Sequence, residues 1–263
     1  MVLTVFASGS GGNCSLLSEG DTHLLLDAGI SMRRTEAALS QVGRKISEIA
    51  GVLITHEHSD HIAGLKMLLK YHRLPVYTPR TVANRLRGML PEIEACLHII
   101  PVGEAFRLGG VSVTAFHTPH DTDESVGYRV QGKGVFALAT DMGCVTEEVI
   151  NGLRGADTVL IESNHDEQML SYGPYPVRLK RRILSDHGHL SNENCAKLAR
   201  SLAENGTTRI VLGHLSLENN RPELAYETTR AALEGTGVWL TAAPVSGCLT
   251  VPVERRELCY RQS

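Results

Sequence analysis

The chain has 263 residues, 42% of them hydrophobic, with 26 Lys and Arg against 29 Asp and Glu, a formal net charge of −3. This composition excludes a disordered or fibrous protein, and the length is sufficient for a full hydrophobic core. The slight acidity argues against a broad basic nucleic-acid clamp but leaves room for a local basic patch. The twelve histidines are the one unusual count, because histidine is the commonest metal ligand in proteins.

Short strands and helices alternate along the chain, which predicts one α/β domain over residues 1–263. Apolar or alternating runs bounded by Gly, Pro or Asp predict strands at residues 3–7, 24–27, 51–54, 111–116, 127–130, 135–139, 159–162, 210–212 and 238–242. Amphipathic patterns with capping residues predict helices at residues 31–42, 61–71, 191–206 and 221–233. No repeat, low-complexity tract or linker interrupts this order.

The strongest motif is Thr-His-Glu-His-Ser-Asp-His at residues 55–61, directly after a predicted strand. In an extended loop, residues two apart point the same way, so His56 and His58 can bind one cation together. Asp60 and His61 fall where a helix begins, which turns them toward a second position nearby. Imidazole and carboxylate ligands suit Zn²⁺, Mn²⁺ or Fe²⁺. The motif therefore predicts a metal site, against the plainer interpretation of an exposed, histidine-rich polar turn.

Further candidate ligands also follow predicted strands. His117 and His120 come after one strand, Asp141 after the next but one, and His214 after a strand in the second half. Proteins of the α/β class usually build their sites on loops at the ends of strands. Any one of these residues alone is more often an ordinary surface or core residue. Their shared position behind strands favours a common site.

In the order of its motifs and over most of its length, the chain resembles the metallo-β-lactamase superfamily. The residues that carry this resemblance are Asp27, His56, His58, Asp60, His61, His120, Asp141 and His214. It implies an αββα sandwich, that is, two mixed β-sheets flanked by helices. It also implies two divalent metal ions, Zn²⁺ or Mn²⁺, at the sheet edge.

By the same resemblance, the metal ligands fall into two sets joined by a bridging carboxylate: His56, His58 and His120; Asp60, His61 and His214; and Asp141 between them. Asp27 resembles the aspartate that orients a ligand without binding metal. The sequence departs from the pattern at Thr-Pro-His-Asp, where many members have Thr-Pro-Gly-His. His117 therefore stays a rival of His120 as a ligand.

Because the fold alone does not set the reaction, further segments are needed to narrow it. The first is the glycine-rich turn at residues 8–14, whose backbone N–H groups can cradle a phosphate. A plain hairpin loop is the alternative interpretation. The predicted substrate-binding residues of this turn are Ser10, Gly11, Gly12 and Asn13.

The second and third segments contain Glu162, after a buried strand, and His189, in His-Gly-His-Leu-Ser-Asn. They look like the Glu- and His-bearing motifs of tRNase Z-type phosphodiesterases, which place a protonated histidine near the scissile phosphate. By that analogy His189 donates a proton or neutralises charge, and Glu162 fixes its tautomer. His187 and His165 remain competitors, and the plain alternative is that His189 only packs beside Ser191.

The densest basic stretch is Arg-Leu-Lys-Arg-Arg at residues 178–182. On a helix, Arg178, Arg181 and Arg182 share one face. A solvated charged face is the usual explanation for such a run. Beside the candidate catalytic histidine, however, it can bind phosphates without making the whole protein basic. We predict Lys180, Arg181 and Arg182 as substrate contacts.

Five segments together resemble the YycJ/WalJ-like branch of the superfamily: SGSGGNC, HEHSDHIAGL, ESNHD, LKRRILSDHGHLSNE and GHLSLENN. This resemblance implies a bacterial, cytoplasmic, metal-dependent nuclease, a 5′ to 3′ exonuclease that acts on DNA rather than RNA. In the expected mechanism, two ions roughly 3.5–4 Å apart generate a bridging hydroxide. Arg181 and Arg182 then stabilise the developing charge, His189 protonates the leaving oxygen and Asp60 accepts the proton of the water.

Two other functions stay open at this point. The same metal ligands serve small-molecule hydrolases such as glyoxalase II-like thioesterases and lactonases, although Glu162, His189 and the basic run favour a nuclease. The other alternative is a regulatory protein that keeps an inherited metal site, and the complete ligand set argues against it. Oligomeric state does not follow from these residues.

The location of the protein is expected from what the sequence lacks. The six cysteines lie far apart without a Cys-x-x-Cys pair, which favours reduced thiols. The N-terminus does not resemble a signal peptide, and no apolar run approaches the ~18 residues of a membrane span. We therefore expect a cytoplasmic protein with no membrane partner. The tail at residues 254–263, with Arg255, Arg256 and Arg261, is either a frayed end or a partner contact.

Overall fold

The computed structural model describes residues 1–254. Its strands are β1 (Val2–Ala7), β2 (Cys14–Glu19), β3 (Thr22–Leu26), β4 (Ile49–Leu53), β5 (Val76–Thr78), β6 (Leu97–Ile99), β7 (Ala105–Leu108), β8 (Val111–His117), β9 (Val126–Gln131), β10 (Val135–Ala139), β11 (Thr158–Glu162), β12 (Arg209–Gly213), β13 (Trp239–Ala242) and β14 (Leu249–Pro252). They form two seven-stranded sheets, in the orders β14-β1-β2-β3-β4-β5-β6 and β13-β12-β11-β10-β9-β8-β7. Both sheets are mixed, because antiparallel pairs such as β1–β2 and β9–β10 adjoin parallel pairs such as β3–β4 and β10–β11.

Helices connect these strands and cover the outer faces of the sheets. They are α1 (Met32–Gln41), α2 (Ser59–Ile62), α3 (Leu65–His72), α4 (Arg80–Met89), α5 (Glu147–Leu153), α6 (Glu167–Tyr172), α7 (Val177–Ile183), α8 (Asn192–Glu204) and α9 (Pro222–Ala232). Two 3₁₀ turns add Ile46–Glu48 and Pro91–Cys96. Within residues 1–254, no helix is both long and apolar enough to cross a membrane.

Alternating side chains explain why the sheets stack face to face with helices outside. In β10, Phe136 and Leu138 pack in the cluster between the two sheets, together with Leu24 of the first sheet. Ala137 and Ala139 point the other way and pack with residues of α5, α8 and α9. Since successive strand residues face opposite sides, an apolar strand buries both faces only in such a layered arrangement. The predicted αββα sandwich is confirmed.

Two helix predictions had different outcomes. The helix predicted at residues 31–42 is present as α1, with the Ser31 hydroxyl accepting a hydrogen bond from the Arg34 N–H at 3.4 Å. The helix predicted at residues 61–71 is wrong as a single element, because the chain breaks into α2 and α3 at Gly64. A Cβ at Gly64 would lie 2.0 Å from the Ile30 carbonyl oxygen, so this close approach of two backbones requires glycine.

Sequence patterns also missed several short strands. Strand β2 begins at Cys14, the last residue of the glycine-rich turn, and no strand was predicted there. At the C-terminal end, β14 pairs antiparallel with β1, opposite Leu3 at Val251. The chain thus returns to the first sheet after completing the second. Of the C-terminal tail, Glu254 pairs with Arg209 at 3.1 Å, and the tail arginines lie outside the described residues.

Candidate active site

Three candidate site residues lie one or two positions after strand ends and have backbone conformations that are rare for residues with a Cβ. The φ angles are 58° at Asp27 after β3, 57° at Asp141 after β10 and 53° at His214 after β12. Such left-handed conformations cost of order 1–3 kcal/mol each and persist only where the surrounding structure holds them. Because strain of this kind concentrates at functional sites, it marks this sheet edge as a candidate site.

The first group of donor atoms belongs to His56, His58 and His120. One ring nitrogen of each lies within 4.8 Å of the others, and His58 Nδ1 is 3.2 Å from His120 Nε2. His56 is fully buried, and its Nε2 has no hydrogen-bond partner among the described residues. Burial holds the pKa of His56 well below its ordinary value and also lowers the pKa of His120. The lowered pKa values of His56 and His120 favour the neutral imidazole, which offers the lone pair that a metal ligand needs.

Asp60, His61, Asp141 and His214 form the second group, again with donor atoms within 4.8 Å of one another. His214 Nε2 lies 3.2 Å from Asp60 Oδ2 and 3.4 Å from Asp141 Oδ1. His61 Nε2 lies 3.2 Å from Asp141 Oδ2. Asp141 also approaches the first group, with Oδ1 3.8 Å from His120 Nε2. Its carboxylate therefore lies between the two groups.

The charges of the second group fit divalent cations. Among residues 1–254, the ion-pair partners of Asp60 and Asp141 are all histidines. Burial is the largest single influence and lowers the pKa values of His61 and His214, but the neighbouring carboxylates together outweigh it: Asp141 and Asp27 at His61, and Asp141, Asp60 and Glu162 at His214. The pKa of His214 rises to about 10, and that of His61 rises well above its ordinary value. Protons on His61 and His214 therefore occupy positions beside Asp60 and Asp141 where a divalent cation would also be stabilised. The imidazole and carboxylate donors, together with the unpaired nitrogen of His56, fit divalent metal ions.

Asp27 lies behind the second group. Its Oδ2 accepts a hydrogen bond from His61 Nδ1 at 2.7 Å, and its Oδ1 accepts one from the Thr55 N–H at 2.9 Å. Both oxygens are also 3.1 Å from the Thr55 hydroxyl. A proton held on His61 Nδ1 leaves Nε2 as the free lone pair, which is how a carboxylate orients a metal-binding histidine.

Glu162 and His189 are in direct contact on the other side of the site. His189 Nδ1 lies 2.7 Å from Glu162 Oε1, which also contacts His214 Nδ1 at 3.0 Å. Burial raises the pKa of Glu162, but the neighbouring histidines lower it more, to about 2. Burial lowers the pKa of His189, and the Glu162 carboxylate outweighs it, so the net direction is upward. His187 is exposed, and His165 is buried with neither ring nitrogen paired among the described residues.

His117 and His120 lie in different surroundings. The His117 side chain is 51% exposed and pairs with Glu148 at 3.0 Å and Glu124 at 3.3 Å. The His120 side chain is only 2% exposed, and its Nδ1 lies 3.1 Å from the Gly188 carbonyl oxygen. A proton on that Nδ1 leaves Nε2 facing the donor groups. The structure therefore brings His120 into the site and leaves His117 outside it.

The glycine-rich turn packs against the donor groups rather than standing free. The Gly12 N–H donates to the Gly9 carbonyl at 3.0 Å, and the Asn13 N–H donates to the Asp60 carbonyl at 2.7 Å. These two N–H groups are paired inside the protein, contrary to the expected phosphate cradle of four residues. Ser10 lines the cavity described below, and the N–H groups of Ser10 and Gly11 donate to no residue within 1–254. Of the four predicted residues, only these two keep backbone N–H groups without a partner among residues 1–254 for the predicted phosphate contact.

The basic residues of α7 separate into different roles. Arg182 lines the cavity and forms an ion pair with Asp121. Lys180 donates from Nζ to the Ser171 carbonyl at 2.7 Å, which ties α7 to the end of α6. Arg181 is exposed and does not line the cavity. Of the three predicted substrate contacts, only Arg182 reaches the cavity.

A cavity of about 240 Å³ opens above the donor groups. Its lining residues are Ser10, His58, Asp60, His120, Asp121, Asp141, Asn164, Tyr175, Leu179, Arg182, Ile183, Gly188, His189, His214 and Ser216. Asn164 and Ser216 were missed from the sequence, although each lies two positions after a residue that was predicted, Glu162 and His214. Such spacing is a usable signal because alternate residues of an extended chain face the same way. Tyr175 carried no comparable signal.

Comparison with known proteins places the chain in a family. Residues 22–215 match the family described as the Beta-lactamase superfamily domain. The chain is 39% identical over 236 residues to Exodeoxyribonuclease YycJ of Bacillus anthracis, covering 89% of each protein. It is 38% identical over 229 residues to Exodeoxyribonuclease WalJ of Streptococcus pneumoniae, covering 86% of this chain and 85% of WalJ. The chain belongs to the metallo-β-lactamase superfamily.

The Zn²⁺-bound PqqB from Methylobacterium extorquens has the same fold, with a TM-score of 0.72 at 20% identity over 96% of this chain and 100% of PqqB. Within the superfamily, the sequence similarity to YycJ and WalJ confirms the predicted branch. Together with the two donor groups, this membership identifies the protein as a metal-binding hydrolase.

Proposed function

We propose that this metallo-hydrolase is a phosphodiesterase that removes nucleotides from the 5′ end of DNA, in the 5′ to 3′ direction. The names of its relatives YycJ and WalJ, both exodeoxyribonucleases, support DNA as the substrate. The observation that carries the proposal is the contact between His189 and Glu162 on the cavity wall, beside both donor groups. A thioester hydrolase releases a thiolate, which leaves without a proton. A proton donor at this position favours a poorer leaving group, such as the sugar oxygen of a phosphodiester.

The proposal includes two divalent ions, Zn²⁺ or Mn²⁺, as cofactors. Their proposed ligands are His56, His58 and His120 for one ion, Asp60, His61 and His214 for the other, and Asp141 for both. When bound, such ions polarise the phosphodiester and make a water acidic enough to ionise near neutral pH. The remaining steps belong to side chains of this chain.

Asp60 is placed to take the proton of the attacking water. Its side chain is 21% exposed and lines the cavity, and its Oδ2 is held by His214 Nε2 at 3.2 Å. Burial raises the pKa of Asp60, but its contacts with His214 and His61 lower it further than burial raises it. The lowered pKa keeps the group ionised and makes it a weak base, so in this proposal it accepts a proton only from a water that bound ions would have made acidic.

In this proposal, His189 supplies a proton to the leaving oxygen. Its Nδ1 is bound to Glu162, so its Nε2 carries the transferable proton. Because the Glu162 carboxylate raises the pKa of His189, the imidazolium form persists to higher pH than in a free histidine. Arg182 pairs with Asp121 at the same cavity, where a substrate phosphate can replace that carboxylate and use the guanidinium to stabilise its charge.

The proton-donor role is tested by His189→Ala with two substrates. With 5′-labelled DNA, we expect kcat to fall about 10²- to 10⁴-fold, the usual contribution of a general acid. With bis(p-nitrophenyl) phosphate, whose leaving group needs no proton, we expect a much smaller loss. Metal content, measured by plasma mass spectrometry, should stay at the wild-type value. His117→Ala removes an exposed histidine outside the site and serves as the matched control.

Two results contradict the proposal. An equal loss on both substrates would show that His189 does not act as an acid on the leaving group. Faster hydrolysis of a thioester such as S-lactoylglutathione than of DNA, compared as kcat/KM, would instead favour a small-molecule hydrolase.

A further inference from the structure

The segment that forms one wall of the cavity also carries an unusually exposed aromatic side chain. Tyr172, the last residue of α6, is 91% exposed, and Val177 at the start of α7 is 63% exposed. Arg178 and Arg181 of α7 are exposed beside them. We call these four residues, Tyr172, Val177, Arg178 and Arg181, the rim surface.

The position of Tyr172 is fixed by its neighbours, although its ring is exposed. Helix α6 is anchored by Leu170, which is fully buried. Lys180 holds the carbonyl of Ser171 at 2.7 Å. The next residue, Gly173, has no room for a Cβ, which would lie 2.6 Å from the Met169 carbonyl oxygen. The backbone at Tyr172 is therefore held in place, and its exposed ring is available to contact a partner.

The charge of the rim surface fits a polyanion. Residues 170–184 contain four basic side chains and no acidic one. Two of the four, Lys180 and Arg182, are occupied by a carbonyl and by Asp121. Arg178 and Arg181 form no ion pair with any residue between 1 and 254. They are therefore the cations of this segment that remain available to a partner.

The rim surface adjoins the cavity directly. Leu179, Arg182 and Ile183 line the cavity from one side of α7. At 3.6 residues per turn, Arg178 and Arg181 lie on the neighbouring side of the same helix. Tyr175 also lines the cavity, and the Cα atom of Tyr172, three residues earlier, is within about 11 Å of the Cα atom of Tyr175.

We propose that the rim surface binds the single-stranded end of the DNA whose terminal phosphodiester enters the cavity. Tyr172 stacks on a base, and Arg178 and Arg181 contact the phosphates on either side of it. Aromatic stacking beside free cations is the usual way in which proteins hold unpaired strands. The strand must be unpaired because stacking on Tyr172 needs a free base face. This inference rests on the proposed function.

The test measures binding by fluorescence anisotropy, with full-length protein loaded with Mn²⁺ and a labelled 12-nucleotide thymidine strand. The two 5′-terminal linkages are phosphorothioates, which block hydrolysis. Tyr172→Ala should weaken binding about 5- to 150-fold, the range of one lost stacking contact. The same substitution should leave binding of an abasic strand of equal length unchanged, and Tyr172→Trp should retain wild-type affinity for the thymidine strand.

The arginines are tested through salt dependence. Arg178→Ala/Arg181→Ala should weaken binding of both the thymidine and the abasic strand. It should also reduce the slope of log affinity against log salt by about 1.4, the value for two lost contacts to a single strand. Matched controls are Tyr71→Ala, which removes a tyrosine 58% exposed on α3, and Arg107→Ala/Arg230→Ala, which removes two exposed arginines outside the cavity lining. Neither control should change affinity.

The inference is overturned if Tyr172→Ala binds the thymidine strand like wild type, if it loses as much affinity for the abasic strand, or if an RNA strand of the same length binds more tightly than DNA. The proposed function fails separately. If the protein binds DNA through Tyr172 but hydrolyses neither DNA nor bis(p-nitrophenyl) phosphate, the binding role of the rim surface is supported and the proposed phosphodiesterase activity is refuted. If the protein hydrolyses DNA but substitutions in the rim surface do not change binding, the proposed function stands and the binding role of the rim surface is refuted.

Discussion

Replacing Asp27 with asparagine is expected to weaken metal binding, although the Asp27 carboxylate is not itself a candidate metal ligand. Asp27 Oδ1 accepts the Thr55 N–H at 2.9 Å, and Oδ2 accepts His61 Nδ1 at 2.7 Å. In Asp27→Asn the side-chain oxygen must stay on the Thr55 N–H, since an NH₂ group there would oppose another donor. The amide NH₂ then faces His61 Nδ1 and can only donate to it. The imidazole must therefore carry its proton on Nε2, the nitrogen that the second donor group needs.

The size of this effect follows from the tautomer. Partners that orient a metal-binding histidine are typically worth 10- to 100-fold in metal affinity, which corresponds to about 1.4–2.7 kcal/mol. The loss should be confined to the ion held by Asp60, His61 and His214. The group of His56, His58 and His120 should keep its affinity, because Asp27 contacts none of those rings.

Calorimetric titration of metal-free protein with Zn²⁺ measures both affinities in one experiment. Asp157→Asn is the matched control: Asp157 is buried at 6% exposure, and its carboxylate accepts a backbone hydrogen bond from Val135 at 2.7 Å, without contact to a candidate ligand. Thermal unfolding of both metal-free variants shows whether they remain folded. If Asp27→Asn binds both ions with wild-type affinity, the tautomer argument is refuted.

Three further outcomes are expected from single residues. Asp60→Ala should keep its circular dichroism spectrum but lose at least 10²-fold in DNA hydrolysis, and a folded, fully active variant would contradict the role of Asp60. In the wild type, EDTA should abolish activity until Mn²⁺ or Zn²⁺ is restored. Gly29→Ala should fail to fold, because its Cβ would lie 1.7 Å from the Asp60 carbonyl oxygen, whereas Gly88→Ala, in open space within α4, should raise the free energy of unfolding in urea by about 0.5–1 kcal/mol. Burial raises the pKa of the Cys195 thiol to about 12. Because iodoacetamide reacts with the thiolate, Cys195 should resist modification at about pH 8, whereas the exposed Cys248 should be modified. Peptide mass spectrometry measures both.

The parts of the fold that could be predicted are those with a strong local pattern. Strand β10 was predicted with its observed limits because all five of its residues are apolar. Strand β2 was missed because buried Ser15 interrupts its apolar residues. Strand β5 has only three residues, too few to show a period. Both strands form because neighbouring strands supply their hydrogen-bond partners. The residues of the strand itself do not show which other strands will lie beside it.

The candidate site shows the same division. His56 and His58 could be found because their spacing is itself the signal. The choice of His120 over His117 rested on the family resemblance and left His117 as a rival, because the outcome depends on where β8 ends. The strand continues through His117, which leaves that side chain exposed, and His120 lies beyond it in the turn that reaches the donor groups. Asp121 had no signal at all, since its role depends on an ion pair with Arg182, 61 positions later.

The net charge of −3 hides two different regions, and their separation sets an order of binding. Within the cavity, the carboxylates of Asp60 and Asp141 are already paired with His61 and His214, so the metal-free cavity offers a phosphate no net attraction. At the rim surface, Arg178 and Arg181 attract the same phosphate whether or not metal is present. Two divalent ions would add +4 to the −3 of the whole chain, which gives +1, and all of that added charge would lie at the cavity. Since the attraction at the rim surface is exposed and screened by salt while the cavity is buried, metal loading should govern entry of the scissile phosphodiester far more than the initial capture of the strand.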